Sequence, residues 1–592
     1  MTERDPAVAA LLRESEHFAS LSEEARDRLA DAATLESVPA GEWLFRAGDV
    51  TDACYVIETG SVQVVGEPNA GAEPPVLRVL SRGSVFGELG VLTGAPRSAS
   101  VRARRDATVA RIGAAEFAAL LREPEFATAL TGRLAAELQV SEAIEREMSG
   151  PARLVVIVSA WDGGHTSDLG RRLAELVSRH VRCVAIGPED DEAHAEDPFE
   201  LRRGLARRVA EAERGADIVL LDATTGGEAW VAACIRQGDR IVVVTDGAQP
   251  EPPRLPLAEG TTVDLVLCGG RPAPAVLHRW RRVLRPRTHW FVAGPPGFDG
   301  LEREARCLAG RSVAVVLSGG GARGCAHIGV IDELRRQRVE IDHICGTSAG
   351  AYVAAMAAQG IDAAAMRDQT WRWSVEHKVL GDFTVPLVAI TRGQRLLAMT
   401  ANSFGRLRAE ELPIRFFATA VDIDTGEEVV LDEGPLDRIV AASMSIPGIV
   451  PPVSLDGHEL FDGGIIDNIP IRAMRSRADG PVIAVDVSAG FRMHRRPSYI
   501  PGLIPPALVR GARRKLTGSA EPLPDIRSML GRAMLLRGTI ASEIRPRSVE
   551  LAIRPSVADV SLFDWGRIDS AIEAGRAAAR EALAQRPELS AG

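Results

Sequence analysis

The sequence predicts a multidomain chain: an all-β roll with helices, a middle α/β domain, and a C-terminal α/β domain. Three observations carry that prediction. At 592 residues the chain is too long for one hydrophobic core, because single cores stop growing at about 250–300 residues. From Phe18 to Leu120 short apolar runs are broken by Gly41, Gly48, Gly60, Gly66 and Gly83, the spacing of a roll or barrel. Beyond Arg153, apolar strand candidates alternate with helical stretches, which is the pattern of parallel sheets. The expected divisions are 1–150, 151–300 and 311–592.

Each part has its own local logic. Residues 115–148 change to apolar positions three and four apart and read as a helix coupling the roll to the middle domain. The middle part offers the strands LVVIV, DIVLL, RIVVV and VDLVLC, with helical stretches such as LGRRLAELVSRH between them. Its first strand leads into SAWDGGHTSDLG, where a phosphate loop could sit. That stretch lacks the G-K-[ST] whose lysine and hydroxyl hold phosphate and magnesium, so the domain is read as degenerate and P-loop-like. The third part begins at Arg311 and is interrupted at 493–516 by MHRRPSYIPGLIPPALVRGARRKL. A surface loop is the plainer reading. The sharper one is a lipid-facing segment, with arginines at headgroups and Ile500, Leu503 and Ile504 toward acyl chains.

Composition narrows the function classes. Hydrophobic residues at 46% and charged residues at 25% are ordinary globular usage and argue against wholesale disorder. A net charge of -10 disfavours a nucleic-acid partner, which calls for a broadly basic face. The seven cysteines are scattered, with no C-x-x-C pair, so they read as buried thiols in a reducing compartment, and no metal site is expected. The N-terminus is charged throughout, and no stretch holds the 18 or more apolar residues of a membrane span. The expected location is cytoplasmic, or at most peripheral to a membrane.

Chemistry concentrates in the third part. In HICGTSAGAYVAAMAAQG (343–360) an apolar stretch runs into Gly346-Thr347-Ser348-Ala349-Gly350 and then a helix, the strand-turn-helix context of a G-x-S-x-G nucleophile. Gly346 and Gly350 suit a turn too tight for a Cβ beside the serine, and the helix dipole favours negative charge developing at Ser348. Upstream, VAVVLSGGGARGCAHIGVIDEL (313–334) places Gly319, Gly320, Gly321, Arg323 and Gly324 between a strand and a helix. Such a loop binds anions. Gly319, Gly321 and Gly324 also satisfy the dinucleotide fingerprint G-x-G-x-x-G, with Glu340 or Asp342 as ribose acids. Those acids precede the next apolar run instead of ending it, so an oxyanion hole built from Gly319, Gly320, Gly321 and the N–H of Ala349 is favoured. In HELFDGGIIDNIP (458–470), Asp462 is followed by Gly463 and Gly464.

G-G-G-x-R-G, G-x-S-x-G and D-G-G in this order resemble the patatin-like phospholipase family over about residues 311–490, and AASMSIPGIVPPV (441–453) resembles its segment before the aspartate. GGGARGCAHIGV and IRQGDRIVVV are most similar to the neuropathy target esterase group of lysophospholipases. The resemblance implies a patatin-like hydrolase domain acting on a lysophospholipid or phospholipid through a dyad of Ser348 and Asp462, without histidine or catalytic cofactor. From the residues alone a histidine would be sought, since an aspartate of pKa about 3.9 is a weak base for a hydroxyl. His327, His343 and His458 are nevertheless read as structural, with desolvation making Asp462 the base. Arg323 is expected to hold the glycine loop in shape.

VFGELGVLTGAPRSASVRA (85–103) resembles the phosphate-binding cassette of cyclic-nucleotide-binding domains, and AGEWLFRAGDVTDACYVIETGSVQVV supports the match over about 18–120. The resemblance implies a short helix opening at Gly87, Glu88 and Leu89, with Glu88 on the ribose 2′-hydroxyl, Arg97 on the cyclic phosphate, and Ser98 following it where a hydroxyl could contact guanine. The effector, cAMP or cGMP, is left open. Two rivals stand beside a regulated lipid hydrolase: a cyclic-nucleotide sensor with an inactive hydrolase fold, and a dinucleotide-dependent oxidoreductase.

Overall fold

A computed structural model describes residues 6–15, 18, 21–66, 76–120, 154–160, 168–189, 198–257, 261–294, 299–488 and 549–589. The chain forms two compact units, Met1–Arg311 and Ser312–Gly592.

The first unit opens with eight short strands: β1 (Thr34–Val38), β2 (Trp43–Phe45), β3 (Ala53–Thr59), β4 (Ser61–Val65), β5 (Val76–Ser81), β6 (Val85–Phe86), β7 (Ser100–Ala103) and β8 (Ala107–Gly113). They pair antiparallel as β1-β8-β3-β6 and β2-β7-β4-β5. The strands are short because Gly41, Gly48, Gly60 and Gly83 turn the chain at φ of 85°, 90°, 78° and 81°, a region that costs glycine little. Phe45, Tyr55 and Phe86 pack within the roll, with Tyr55 and Phe86 stacked at 5.3 Å between ring centroids. Leu11, Leu12 and Leu29, from helices Pro6–Glu14 and Glu23–Ala32, cover Val56 and Ile112. Of the expected coupling helix, Ala114–Leu120 is helical and the remainder lies outside the described residues.

Six parallel strands come next: β9 (Leu154–Ser159), β10 (Cys183–Ile186), β11 (Ile218–Ala223), β12 (Arg240–Thr245), β13 (Thr262–Cys268) and β14 (Thr288–Val292), in the order β10-β11-β9-β12-β13-β14. Four of these are the apolar runs read from the sequence. The two edge strands, β10 and β14, are not among those runs. β10 carries the short apolar run CVAI but is half solvent-facing, with Val184 exposed, and β14 mixes Thr288 and His289 into its run. Val155 and Ile157 point toward helices Leu169–Ser178 and Leu301–Leu308, while Val156 and Val158 meet Trp230 and Trp280 on the other face. The turn between β7 and β8 is tied to this sheet. Buried Arg105 donates to Asp239 (Nε–Oδ1 2.8 Å) and Glu213 (2.9 Å), and Arg236 pairs with Asp106 at 2.7 Å. The phosphate-loop candidate falls mostly on 161–167, outside the described residues.

The second unit is built on β15 (Val313–Leu317), β16 (Ile341–Gly346), β17 (Arg415–Asp422), β18 (Glu428–Leu431), β19 (Val453–Leu455), β20 (His458–Asp462), β21 (Val482–Val485) and β22 (Leu551–Ile553). Their order is β19-β20-β17-β16-β15-β21-β22, with β18 also on β17. The five from β17 to β22 along this path run parallel, and β18 and β20 are antiparallel to β17. Helices Cys325–Arg336, Ala349–Ala358 and Ile568–Ala584 contribute to the main core of this unit. No helix among the described residues is long and apolar enough to cross a membrane.

Candidate active site

The glycine loop leaves the C-terminal end of β15 and the serine turn leaves the C-terminal end of β16, so parallel pairing of Leu317 with Gly346 sets them side by side. β17 lies next to β16, and β20 returns antiparallel with Asp462 opposite Ala420. Residues far apart in sequence thereby meet at one end of the sheet.

Ser348 stands at the turn itself, with φ 56° and ψ -122°. A non-glycine residue there costs about 1–3 kcal/mol and persists only where its surroundings enforce it. The enforcement is visible. A Cβ on Gly346 would overlap the backbone of Gly350, and one on Gly350 would overlap the carbonyls of Leu317 and Ser318. Only glycine at both positions lets helix Ala349–Ala358, buried along its whole length, press against the sheet. The Ser348 N–H donates to Ser443 Oγ (3.0 Å), and the Ser443 hydroxyl donates to the Thr419 carbonyl (2.7 Å).

Asp462 is 3% exposed and lines one cavity together with Ser348. Its Oδ1 also accepts the Gly464 N–H at 2.9 Å, and a Cβ on Gly463 would overlap the Thr419 carbonyl. Burial lifts the Asp462 carboxyl to about 6, the neighbouring Ser348 hydroxyl and the Gly464 N–H pulling the other way. The weak base of the unperturbed aspartate is thus strengthened by desolvation.

The histidines are engaged elsewhere. His327, fully buried beneath the glycine loop, has Nε2 2.8 Å from the Ser318 carbonyl, and burial pushes its pKa down to about 4, so the neutral ring donates. His458 Nδ1 lies 2.6 Å from Asp422 Oδ2. His343 is buried within β16. Asp342, one of the two ribose candidates, accepts the Val313 N–H at 3.1 Å, at the end of the strands opposite the glycine loop. That geometry removes the dinucleotide reading.

One expected oxyanion donor needs correcting. The Gly319 N–H donates to the Asn468 carbonyl at 3.1 Å, so it is spent on holding the loop. The N–H groups of Gly320, Gly321 and Ala349 meet no acceptor among the described residues. Asn468 is a site residue that the motifs do not reveal. It is buried, its Nδ2 donates to the Gly319 carbonyl at 3.3 Å, and its two bonds clamp Gly319. Arg323 Nε donates to the Val560 carbonyl at 2.6 Å, and Ala322 N–H donates to Leu562 O at 2.8 Å. Gly324 packs so closely on Ala349 that a Cβ would collide there.

Two cavities adjoin the serine. One is lined by Ser348, Asp462, Asn468 and the glycine loop. The other is largely apolar and runs from Ser348 past Tyr352, Leu380, Leu396, Met399 and Ile446. A carbonyl at the serine and a hydrocarbon chain in the apolar cavity match this arrangement. Among the described residues there is no cluster of His, Cys, Asp and Glu able to hold a metal.

In the roll, Gly87 at φ 77° opens helix Glu88–Thr93, with Leu89 and Ser98 exposed. Arg97 is buried. Its guanidinium donates to the carbonyls of Gly87 (3.0 Å) and Ala53 (2.8 Å) and to Asp52 (3.3 Å), and lies 4.1 Å from the Phe45 ring centroid. The Arg97 Nε is buried with no acceptor among the described residues, a donor that fits an anion. The lipid-facing candidate at 493–516 lies outside the described residues.

Residues 315–475 match the patatin-like phospholipase family and residues 35–123 the cyclic nucleotide-binding domain. An uncharacterized NTE family protein of Mycobacterium tuberculosis is 35% identical over 98% of this chain and 97% of its own length. Patatin-like phospholipase domain-containing protein 7 of Rattus norvegicus is 29% identical over 76% of this chain, which spans 38% of that protein. Lysophospholipase NTE1 of Cryptococcus neoformans is 28% identical over 77% of this chain and 32% of its own length.

Proposed function

The chain belongs to the NTE family, and on that premise we propose that it is a serine-dependent lipid acyl hydrolase acting on a lysophospholipid or phospholipid ester. The observation that carries the reading is the placement of Ser348 and a buried Asp462, raised to about 6, in one cavity that adjoins an apolar one.

In the proposed cycle, Asp462 takes the hydroxyl proton as Ser348 Oγ attacks the ester carbonyl. The resulting oxyanion lies against the N–H groups of Gly320, Gly321 and Ala349, each worth about 3 kcal/mol to the barrier. Collapse breaks the bond to the leaving oxygen, which takes the proton from Asp462, and leaves an acyl-Ser348. Water then attacks the acyl carbon as its proton passes to Asp462, and Ser348 Oγ leaves with that proton. These steps need no cofactor.

We assign the roll a regulatory role: cyclic AMP or cyclic GMP binds with its phosphate on Arg97 and its ribose on Glu88. Arg97 would exchange its internal acceptors for the phosphate. The tie between the β7–β8 turn and the middle sheet offers a route by which that exchange leaves the roll. The functional divisions are 1–150, 151–300 and 311–592. The free cysteines, six of them buried, suit a reducing cytoplasm, with peripheral contact to the membrane holding the substrate.

The test is labelling by a fluorophosphonate probe together with turnover of a lysophospholipid. Ser348→Ala is expected to abolish labelling and to cut turnover by about 10⁴-fold or more. Unchanged turnover in that variant would overturn the reading, and a wild type that neither labels nor turns over would leave the sensor with a silent hydrolase fold.

A further inference from the structure

Residues 383–388, Phe-Thr-Val-Pro-Leu-Val, are exposed throughout. Phe383 is 56% exposed, Val385 72%, Leu387 90% and Val388 69%. Four large apolar side chains in six residues facing water form a patch of the kind that marks a surface for an apolar partner.

The exposure is not that of a loose loop. Phe383 and Thr391 form a β-bridge, Thr384 N–H donates to the Ile390 carbonyl (3.1 Å), and Arg392 N–H to the Asp382 carbonyl (2.9 Å). Ile390 and Thr391 donate in turn to the carbonyls of Gly448 (3.0 Å) and Ile449 (3.1 Å). The Asp382 carboxylate accepts the Arg395 N–H at 3.2 Å. A braced base thus presents an apolar tip.

The base also borders the apolar cavity. Val379 and Leu380, just before the loop, and Leu396 and Met399, just after it, line the cavity that begins at Ser348. The loop is thus joined at both ends to the lining of that cavity. Within seven residues of the loop are three exposed cations, Lys378, Arg392 and Arg395, and two carboxylates, Glu376 and Asp382.

From this juxtaposition we infer that the 383–388 loop is a membrane-docking element, which inserts Phe383, Val385, Leu387 and Val388 among the lipids while the flanking cations meet anionic headgroups. The inference rests on the lipid-hydrolase reading for its choice of partner. It moves the membrane contact from the 493–516 stretch to a braced loop beside the catalytic centre. Apolar insertion and electrostatic attraction add, as they do for interfacial segments generally. A lipid surface so held would present an acyl ester at the cavity without full extraction into water.

The test uses the full chain and the triple variant Val385→Ser, Leu387→Ser, Val388→Ser. Co-sedimentation with phosphatidylcholine–phosphatidylglycerol vesicles is expected to weaken about tenfold or more, while hydrolysis of a water-soluble short-chain ester is unchanged. Leu387→Cys carrying an environment-sensitive fluorophore is expected to shift to the blue on adding the same vesicles. Equal vesicle binding by wild type and triple variant, or none by either, overturns the inference. So does a concentration-dependent dimer, lost in the variant, without vesicle binding. A wild type that binds vesicles through this loop but hydrolyses no ester refutes the catalytic reading and leaves the docking loop standing.

Discussion

The serine turn and the nucleotide cassette each depend on one polar side chain, but they hold it in opposite ways. Ser348 is locked: its strained backbone is enforced by Gly346 and Gly350, and its N–H is anchored on Ser443. Arg97 is held by bonds that can be traded, two carbonyls and Asp52, with Nε left over. On the proposed reading the first arrangement spends strain to keep a nucleophile in place, as preorganised catalysis requires. The second, on the same proposed reading, keeps a cation on acceptors that a bound phosphate would replace, which is what a switch needs.

The sharpest way to break this contrast is pH, because the locked site rests on one carboxylate. With Asp462 at about 6, raised by burial, kcat/KM is expected to fall tenfold per unit below that value, about a hundredfold by pH 4. A flat profile across pH 4–8 would remove Asp462 as the base. Stability must run the other way. Since the folded pKa lies above the unfolded one, the native state binds more protons between about 4 and 6, and this group's favourable contribution, full below about 4, is lost as pH rises through about 6. Asp462→Asn is accordingly expected to raise Tm at pH 8 more than at pH 4, as thermal unfolding at the two pH values would reveal.

The tradable site is tested by Arg97→Ala. Removing a charge-assisted contact of about 2 kcal/mol weakens cyclic nucleotide binding about thirtyfold, read by calorimetry, with basal ester turnover unchanged. If affinity holds, the phosphate sits elsewhere. If basal turnover collapses as well, Arg97 belongs to the scaffold of the roll and the contrast with Ser348 fails.

How much of each site is legible in the sequence depends on the range of the forces. Gly346 and Ser348 declare themselves because Gly346 must clear the backbone of Gly350, four residues on, although Gly350 itself must clear Leu317 and Ser318 from across the fold. The four central strands of the middle sheet declare themselves as apolar runs, whereas edge strand β14, THWFV, mixes Thr288 and His289 into its run, and edge strand β10 offers only the four residues CVAI. What could not be read is the contact across the fold. Arg323 finds Val560 across 237 positions, and Gly319 finds Asn468 across 149. Neither pairing leaves a local pattern, since a backbone carbonyl accepts equally well whatever side chain it carries. In the sequence Gly319 therefore looks like a free donor, and only the fold brings its acceptor into view. Asn468 lies within DGGIIDNIP, six residues past Asp462, and a polar amide that close to the proposed base is the available signal.

Asn468 also supplies the finest test of the locked site. Its carbonyl accepts from Gly319 N–H and its side chain donates to Gly319 O, so the side chain fixes the loop without supplying the proton or the nucleophile. Asn468→Ala keeps the backbone half of the clamp and loses the other. Gly320 and Gly321 would then sample positions in which their N–H groups miss the oxyanion, which forms only in the transition state. The loss should fall on kcat, about tenfold, with KM little changed. Asn468→Asp sets a carboxylate against the Gly319 carbonyl and near Asp462, so it should fare worse than alanine and raise the pH below which activity is lost. A purely structural asparagine would instead lower the yield of folded enzyme while leaving kcat per labelled Ser348 and its pH profile untouched.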